Sequence, residues 1–177
     1  MFEYMLLSVI IGILSSVIAS IIFLTFLTRV RPKIEISNQI AKGKSLTTGD
    51  IIYRIKVINK TRHSIINIKA QLHLVTPIVV PGGILLKTKE IPLKRSEVMC
   101  LEKFDPKDEQ AKYAFRFVTY EDIEKSWSDD KRSFLRFRIV ATDSISGFSK
   151  VFTKDYHTKS LIKEGEFEYG ASMEIKK

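Results

Sequence analysis

Between Tyr4 and Thr28 the chain carries no charge and no proline, and Leu, Ile, Val and Phe predominate. At about 1.5 Å per residue a helix over this run exceeds the roughly 30 Å hydrocarbon core of a bilayer. Backbone amides in lipid must be satisfied within the segment, so a helix is required despite the many β-branched residues. Residues 1–28 are therefore predicted as one transmembrane helix. A cleaved signal peptide needs a positive n-region, a shorter apolar core and a small-residue cleavage site. This N-terminus carries only Glu3, and the run leads into Arg29, Arg31 and Lys33, which read as a stop-transfer flank.

All 29 Lys and Arg residues lie at or beyond Arg29, against 19 of the 20 acids, so the chain beyond the apolar run is ten charges positive. The positive-inside rule predicts a single-pass topology with the N-terminus outside and the large domain cytoplasmic. The single cysteine, Cys100, precludes an intramolecular disulfide and fits a reducing compartment. Arg29, Arg31 and Lys33 are candidate lipid-headgroup contacts, since each well-placed cation near an anionic leaflet contributes about 1 kcal/mol. Within the apolar run, Gly12, Ser15, Ser16, Ala19 and Ser20 fall on one helical stripe. Small residues at this spacing let helix backbones approach closely, so the stripe is the candidate helix–helix contact of a homo-oligomer.

Residues 29–33 read as a basic juxtamembrane linker, 34–170 as one cytoplasmic β-sandwich and 171–177 as a basic tail. Period-two alternation is the evidence for strands. Tyr53, Ile55 and Val57 alternate with Arg54 and Lys56, and Ile66, Ile68, Ala70, Leu72 and Leu74 alternate with polar residues, with Asn59 to His63 between the two runs. Further strands are predicted at 34–37, 84–91, 97–104, 112–118, 134–141, 148–156 and 166–169. Turn chemistry separates several of them, at Pro81-Gly82-Gly83, Pro106-Lys107-Asp108 and Ser144-Ile145-Ser146-Gly147. Tyr120 to Trp127 reads as a helical turn capped by Thr119. So many short strands in one domain indicate a mainly β protein, an immunoglobulin-like β-sandwich preceded by one transmembrane α-helix.

Tyr113, Phe115, Phe117, Leu135, Phe137 and Ile139 are the expected filling between the sheets. The polar faces carry Arg54, Lys56, Lys69, Arg116, Arg136 and Arg138. Alternation alone explains these as solvated strand positions. Together they are also the candidate surface for an anionic ligand such as a nucleotide or a lipid phosphate.

Several stretches, in order, resemble the cytoplasmic domain of inward-rectifier potassium channels. They are Tyr53 to Arg62 with its Asn59-Lys60-Thr61-Arg62 turn, the strand Ile65 to Leu74, Thr119-Tyr120-Glu121-Asp122-Ile123, Phe134 to Asp143, Ser146-Gly147, Tyr156, and Ile162-Lys163-Glu164-Gly165-Glu166-Phe167. The resemblance covers most of residues 50–169. It implies an immunoglobulin-like sandwich, tetrameric assembly and anionic phospholipid at basic residues below the membrane, here Arg29, Arg31 and Lys33 by position. The chain has no second membrane helix, pore helix or glycine-tyrosine-glycine filter, so the pore does not carry over.

His63, His73 and His157 stand apart and no metal-ligand spacing occurs. There is no nucleophile elbow, phosphate-binding loop or dinucleotide fingerprint. Asp105, Asp108 and Glu109 read as solvated loop charges. No enzyme, metal or cofactor is expected, and nucleic acid is not among the expected partners. The expected function is a non-enzymatic sensor or effector that clusters through its helix and binds an anionic small molecule or a cytoplasmic protein. Its architecture resembles membrane effectors of bacterial anti-phage systems. The alternative is a passive anchor that recruits a cytoplasmic enzyme or complex. Replacing Gly12 and Ser16 with Ile is expected to abolish detergent-resistant oligomers on cross-linking; unchanged oligomers would refute contact through the stripe.

Overall fold

The computed structural model describes residues 2–45, 48–127 and 132–177. Helix α1 (Phe2–Arg29) stands clear of the rest of the chain, and its segment Tyr4–Arg29 is long and apolar enough to cross a membrane. Gly12, Ser15, Ser16, Ala19 and Ser20 lie exposed along it. The Ser20 hydroxyl donates back to the Ser16 carbonyl at 2.8 Å, which satisfies it without a partner helix.

Beyond α1 the chain is mainly β, two packed sheets forming a sandwich. The first is centred on β3 (Ile51–Asn59). One edge of β3 is shared by β1 (Ile34–Ile36), paired near its C-terminal end, and β2 (Ile40–Lys44), paired near its start. Its other edge pairs with β7 (Ala114–Thr119), and β10 (Ile162–Glu164) adds to β2 in parallel. The second sheet is centred on β4 (Ile65–Val80). One edge of β4 is shared by β6 (Glu97–Leu101) and β5 (Gly83–Ile91), and the other pairs with β8 (Phe134–Asp143), followed by β9 (Ser149–Tyr156). A bulge at Asn67, with φ of 51°, re-aims β4 between Ile66 and Lys69.

Tyr53, Ile55, Val57 and Phe117 of the first sheet face Leu72, Leu135, Phe137 and Ile139 of the second. Phe117 and Phe137 meet across the interface with ring centroids 5.5 Å apart. Alternation located these residues correctly because one face of each strand must leave water. Tyr113 departs from the expectation. It is buried, but in a separate cluster with Ile58 and Ala111, because β7 begins only at Ala114 and a turn precedes it.

That second cluster exists because the sandwich has a third layer. The segment expected as a basic tail folds back, and β12 (Ile175–Lys176) pairs with β11 (Glu166–Phe167), while Ala171 and Met173 pack on Ile58 and Tyr113. Other boundaries also moved. β4 runs six residues past Leu74, β2 is an added strand, and the short helix α2 (Ile123–Ser126) is capped by Asp122, whose carboxylate accepts from Lys125 N. Thr119 instead donates its hydroxyl to the Pro92 carbonyl at 2.7 Å.

Candidate functional site

The basic residues fall into three groups. Arg54 and Lys56 on β3 share a face, and Lys56 is directly opposite Arg116 on β7. Alternation put these side chains in water; the third layer takes Arg54 and Lys56 out of it and half-covers Arg116. Lys56 is 1% exposed and its Nζ donates to the carbonyls of Glu168, Gly170 and Ser172, each at 2.7 Å. Burial, and then the neighbouring Arg116 charge, push its ammonium down to about 8. Arg54, 8% exposed, donates through Nη2 to Glu166 Oε1 at 2.9 Å and the Lys44 carbonyl at 3.2 Å. Gly43 makes room for it, since a Cβ there would lie 2.7 Å from Arg54 Nη1. Arg116 Nη2 donates to the carbonyls of Phe167 and Glu168 at 3.1 and 3.3 Å. These three cations hold the C-terminal segment, which corrects the reading of Arg54 and Lys56 as solvated; Arg116 is half-buried and lines a cleft of about 280 Å³ with Gln110 and Tyr169.

The second group lies on the outer face of the second sheet. Arg136 forks onto Asp155, with Nε to Oδ1 at 2.8 Å and Nη2 to Oδ2 at 2.7 Å, and lies over the Phe134 ring at 5.0 Å. This bond raises the Arg136 pKa and holds the Asp155 carboxyl below its ordinary value. Lys69 pairs with Glu97 at 3.0 Å, both well exposed. Arg138, opposite Gln71, is exposed and makes no hydrogen bond or ion pair among the described residues. A cleft of about 220 Å³ lies here, with Gln71, His73, Arg136 and Arg138 in its lining. Of the six predicted anion-binding residues, Arg138 alone is both exposed and unpaired.

The third group is at the α1 end of the sandwich. Arg29, Arg31 and Lys33 line a cleft of about 360 Å³ together with Lys60, Thr61, Arg62 and His63. Antiparallel pairing of Ile34 with Asn59, and a bond from Lys60 N to the Lys33 carbonyl at 2.8 Å, bring the 60–63 turn beside the helix exit. The turn is rigid. Fully buried Asn59 donates through Nδ2 to the carbonyls of His63 and Glu102, both at 2.8 Å, and its Oδ1 accepts from Thr61 N at 2.9 Å. Lys60 pairs with Glu35 at 2.8 Å and lies over the Phe104 ring. The cleft thus gathers five cations, of which Lys60 is paired. Sequence reasoning found Arg29, Arg31 and Lys33 and missed Lys60 and Arg62; the pairing of the first predicted strand with the Tyr53 strand was the signal that would have found them.

A charge network also joins Tyr53 to the α2 turn. Its hydroxyl donates to Asp122 and Glu124 at 3.1 and 3.0 Å, and Lys42 bonds Glu124. Among the described residues no group of three or more His, Cys, Asp or Glu is placed to hold a metal.

No family model matches this chain, and no curated protein matches it. Among solved structures it is similar to Spo0M, a sporulation control protein from Bacillus subtilis, at 12% identity and a TM-score of 0.41. The match covers 75% of this chain and 49% of that one, so the chain spans about half of Spo0M.

Lys56→Met would remove the donor shared by three carbonyls, of which, among the described residues, only that of Glu168 keeps another, from Arg116. It is expected to cost about 3 kcal/mol in urea unfolding and to speed amide exchange in residues 166–176 before the rest of the sandwich. For Asp155 the folded pKa is the lower one, so its contribution is present above the unfolded value and disappears as pH falls through the folded value. The stability difference between wild type and Asp155→Asn is thus expected to shrink as pH drops below 3.8.

Proposed function

We propose that this chain is a non-enzymatic membrane module whose sandwich is held against an anionic cytoplasmic leaflet by the basic collar at the end of α1. The observation that carries this reading is the collar itself. A stop-transfer flank needs only Arg29, Arg31 and Lys33, yet a buried Asn59 holds a turn that adds Lys60 and Arg62 to them. Cations gathered in one cleft recognise phosphate through charge-assisted hydrogen bonds, with about 1 kcal/mol from each cation near the surface. The resemblance to inward-rectifier cytoplasmic domains supports headgroup contact at this position, without a pore. Copies associate through the stripe at Gly12, Ser15, Ser16, Ala19 and Ser20, and the sandwich controls that association as sensor and effector, with Arg138 as its contact for an anionic ligand.

One observation favours a second reading, that of an accessory anchor. Past Val75, β4 leaves β8 and pairs with β5 alone, forming an arm at the end of the sandwich away from α1. Ile78, Val79, Ile84, Leu85 and Leu86 are exposed on it. An apolar arm at that distance from the collar supports recruitment of a cytoplasmic protein.

Dioctanoyl phosphatidylserine, added to the full chain in neutral detergent, is expected to raise the melting temperature, with no rise from dioctanoyl phosphatidylcholine. Arg31→Glu with Arg62→Glu should remove the rise and Arg138→Glu should retain it. An equal response to both lipids would refute headgroup recognition by the collar.

A further inference from the structure

We infer that the hairpin between β8 and β9 is a membrane wedge, a second contact with the bilayer that α1 spans; this rests on the proposed membrane anchorage. Position comes first. Asp143, the last residue of β8, pairs with Ile65, and Ser144 N donates to the Ser64 carbonyl at 3.2 Å. Ser64 follows directly on the collar residue His63. The hairpin tip therefore lies at the same end of the sandwich as the helix exit and the cations.

Chemistry comes second. Residues 144–148 read Ser-Ile-Ser-Gly-Phe, with no charge, and Ile145 and Phe148 are 57% and 38% exposed. Core packing explains neither exposure. Entry of a loop into the lipid interface is normally opposed by bare amides, which have no acceptor there. Here every amide N–H of the loop already has one. Ser144 reaches Ser64; Ile145 and Ser146 donate to Asp143 Oδ1 at 2.9 and 3.0 Å; Gly147 donates to the Asp143 carbonyl at 3.0 Å; Phe148 donates to Ser146 Oγ at 3.3 Å. Asp143 is fully buried beneath the tip, so its carboxylate organises the loop without being presented to lipid.

Charge nearby permits close approach. Lys150 stands at the base of the hairpin; Glu102, of opposite charge, accepts from Ser64 Oγ at 3.2 Å; and the 103–112 loop, tied to the collar turn by Phe104 N on the Thr61 carbonyl, sets Asp105, Asp108 and Glu109 against Lys103, Lys107 and Lys112. Apolar side chains entering about 5–10 Å, beside cations attracted to anionic headgroups, are the chemistry of interfacial membrane contacts. Helix, collar and wedge together would fix the orientation of the sandwich on the leaflet, where helix and linker alone would let it swing.

The test uses the full chain in vesicles of phosphatidylcholine and phosphatidylserine. Trp127, the sole tryptophan, is 3% exposed and lies near the opposite end of the sandwich, so it serves as the internal reference. Phe148→Trp and, separately, Ile145→Trp are made, with wild-type melting temperatures confirming the fold. Phosphatidylcholine brominated high in its acyl chains is expected to quench the added tryptophan at least about twofold more than Trp127. Flotation after an alkaline wash reports insertion of α1 independently. Chains that float while both variants show no quenching beyond wild type overturn the wedge alone. Blue-shifted emission without quenching, the mark of a tip packed on protein, overturns it too. Chains stripped by the wash overturn both the wedge and the anchorage.

Discussion

An ammonium removed from water needs acceptors in its place, and for Lys56 they are three carbonyls of one C-terminal segment. Desolvating such a charge costs several kcal/mol, which the three bonds offset. The outer layer depends on this contact. With residues 168–172 tied to Lys56, Ala171 and Met173 cover Ile58 and Tyr113, and Arg54 Nη2 and Arg116 Nη2 donate to Glu166 and to the Phe167 carbonyl just before that stretch. The first sheet is thereby covered on both faces.

This use of cations as internal fasteners changes what the positive charge of the chain can do. Arg54, Lys56 and Arg116 face the protein's own backbone, Arg136 faces Asp155, and Lys69 faces Glu97. Of the six cations predicted to bind an anion, Arg138 alone stays exposed and unpaired among the described residues, and further cations gather in the collar. Asn59 organises the collar as Lys56 organises the outer layer: a buried polar side chain whose hydrogen bonds dictate a backbone path. The two ends of the sandwich consequently differ. One gathers cations and an uncharged hairpin beside α1, and the other carries the apolar arm of β4 and β5.

Much of the fold was legible in the sequence. The alternation in 53–57, 66–74 and 134–141 located most inward residues, and the Pro-Gly-Gly and Ser-Gly turns fell at hairpins. Ile40–Lys44 was not legible as a strand, because Ala-Lys-Gly-Lys lacks alternating apolar residues and pairs through its backbone with β3. The candidate site was legible only in part. Arg29, Arg31 and Lys33 announce themselves by following an apolar run, whereas Lys60 and Arg62 look like an ordinary polar turn until β1 pairs with β3.

By itself the sequence determined the apolar span, the β character of the remainder and the apolar side of the strands that alternate, since all three follow from local composition and period. Only the tertiary structure decided which polar faces stay wet. Lys56 and Arg138 occupy equivalent places in the same alternation, yet one is buried and the other exposed. The difference is made by carbonyls 112 to 116 residues further along the chain, and desolvation by so distant a layer leaves no trace in a strand's own pattern.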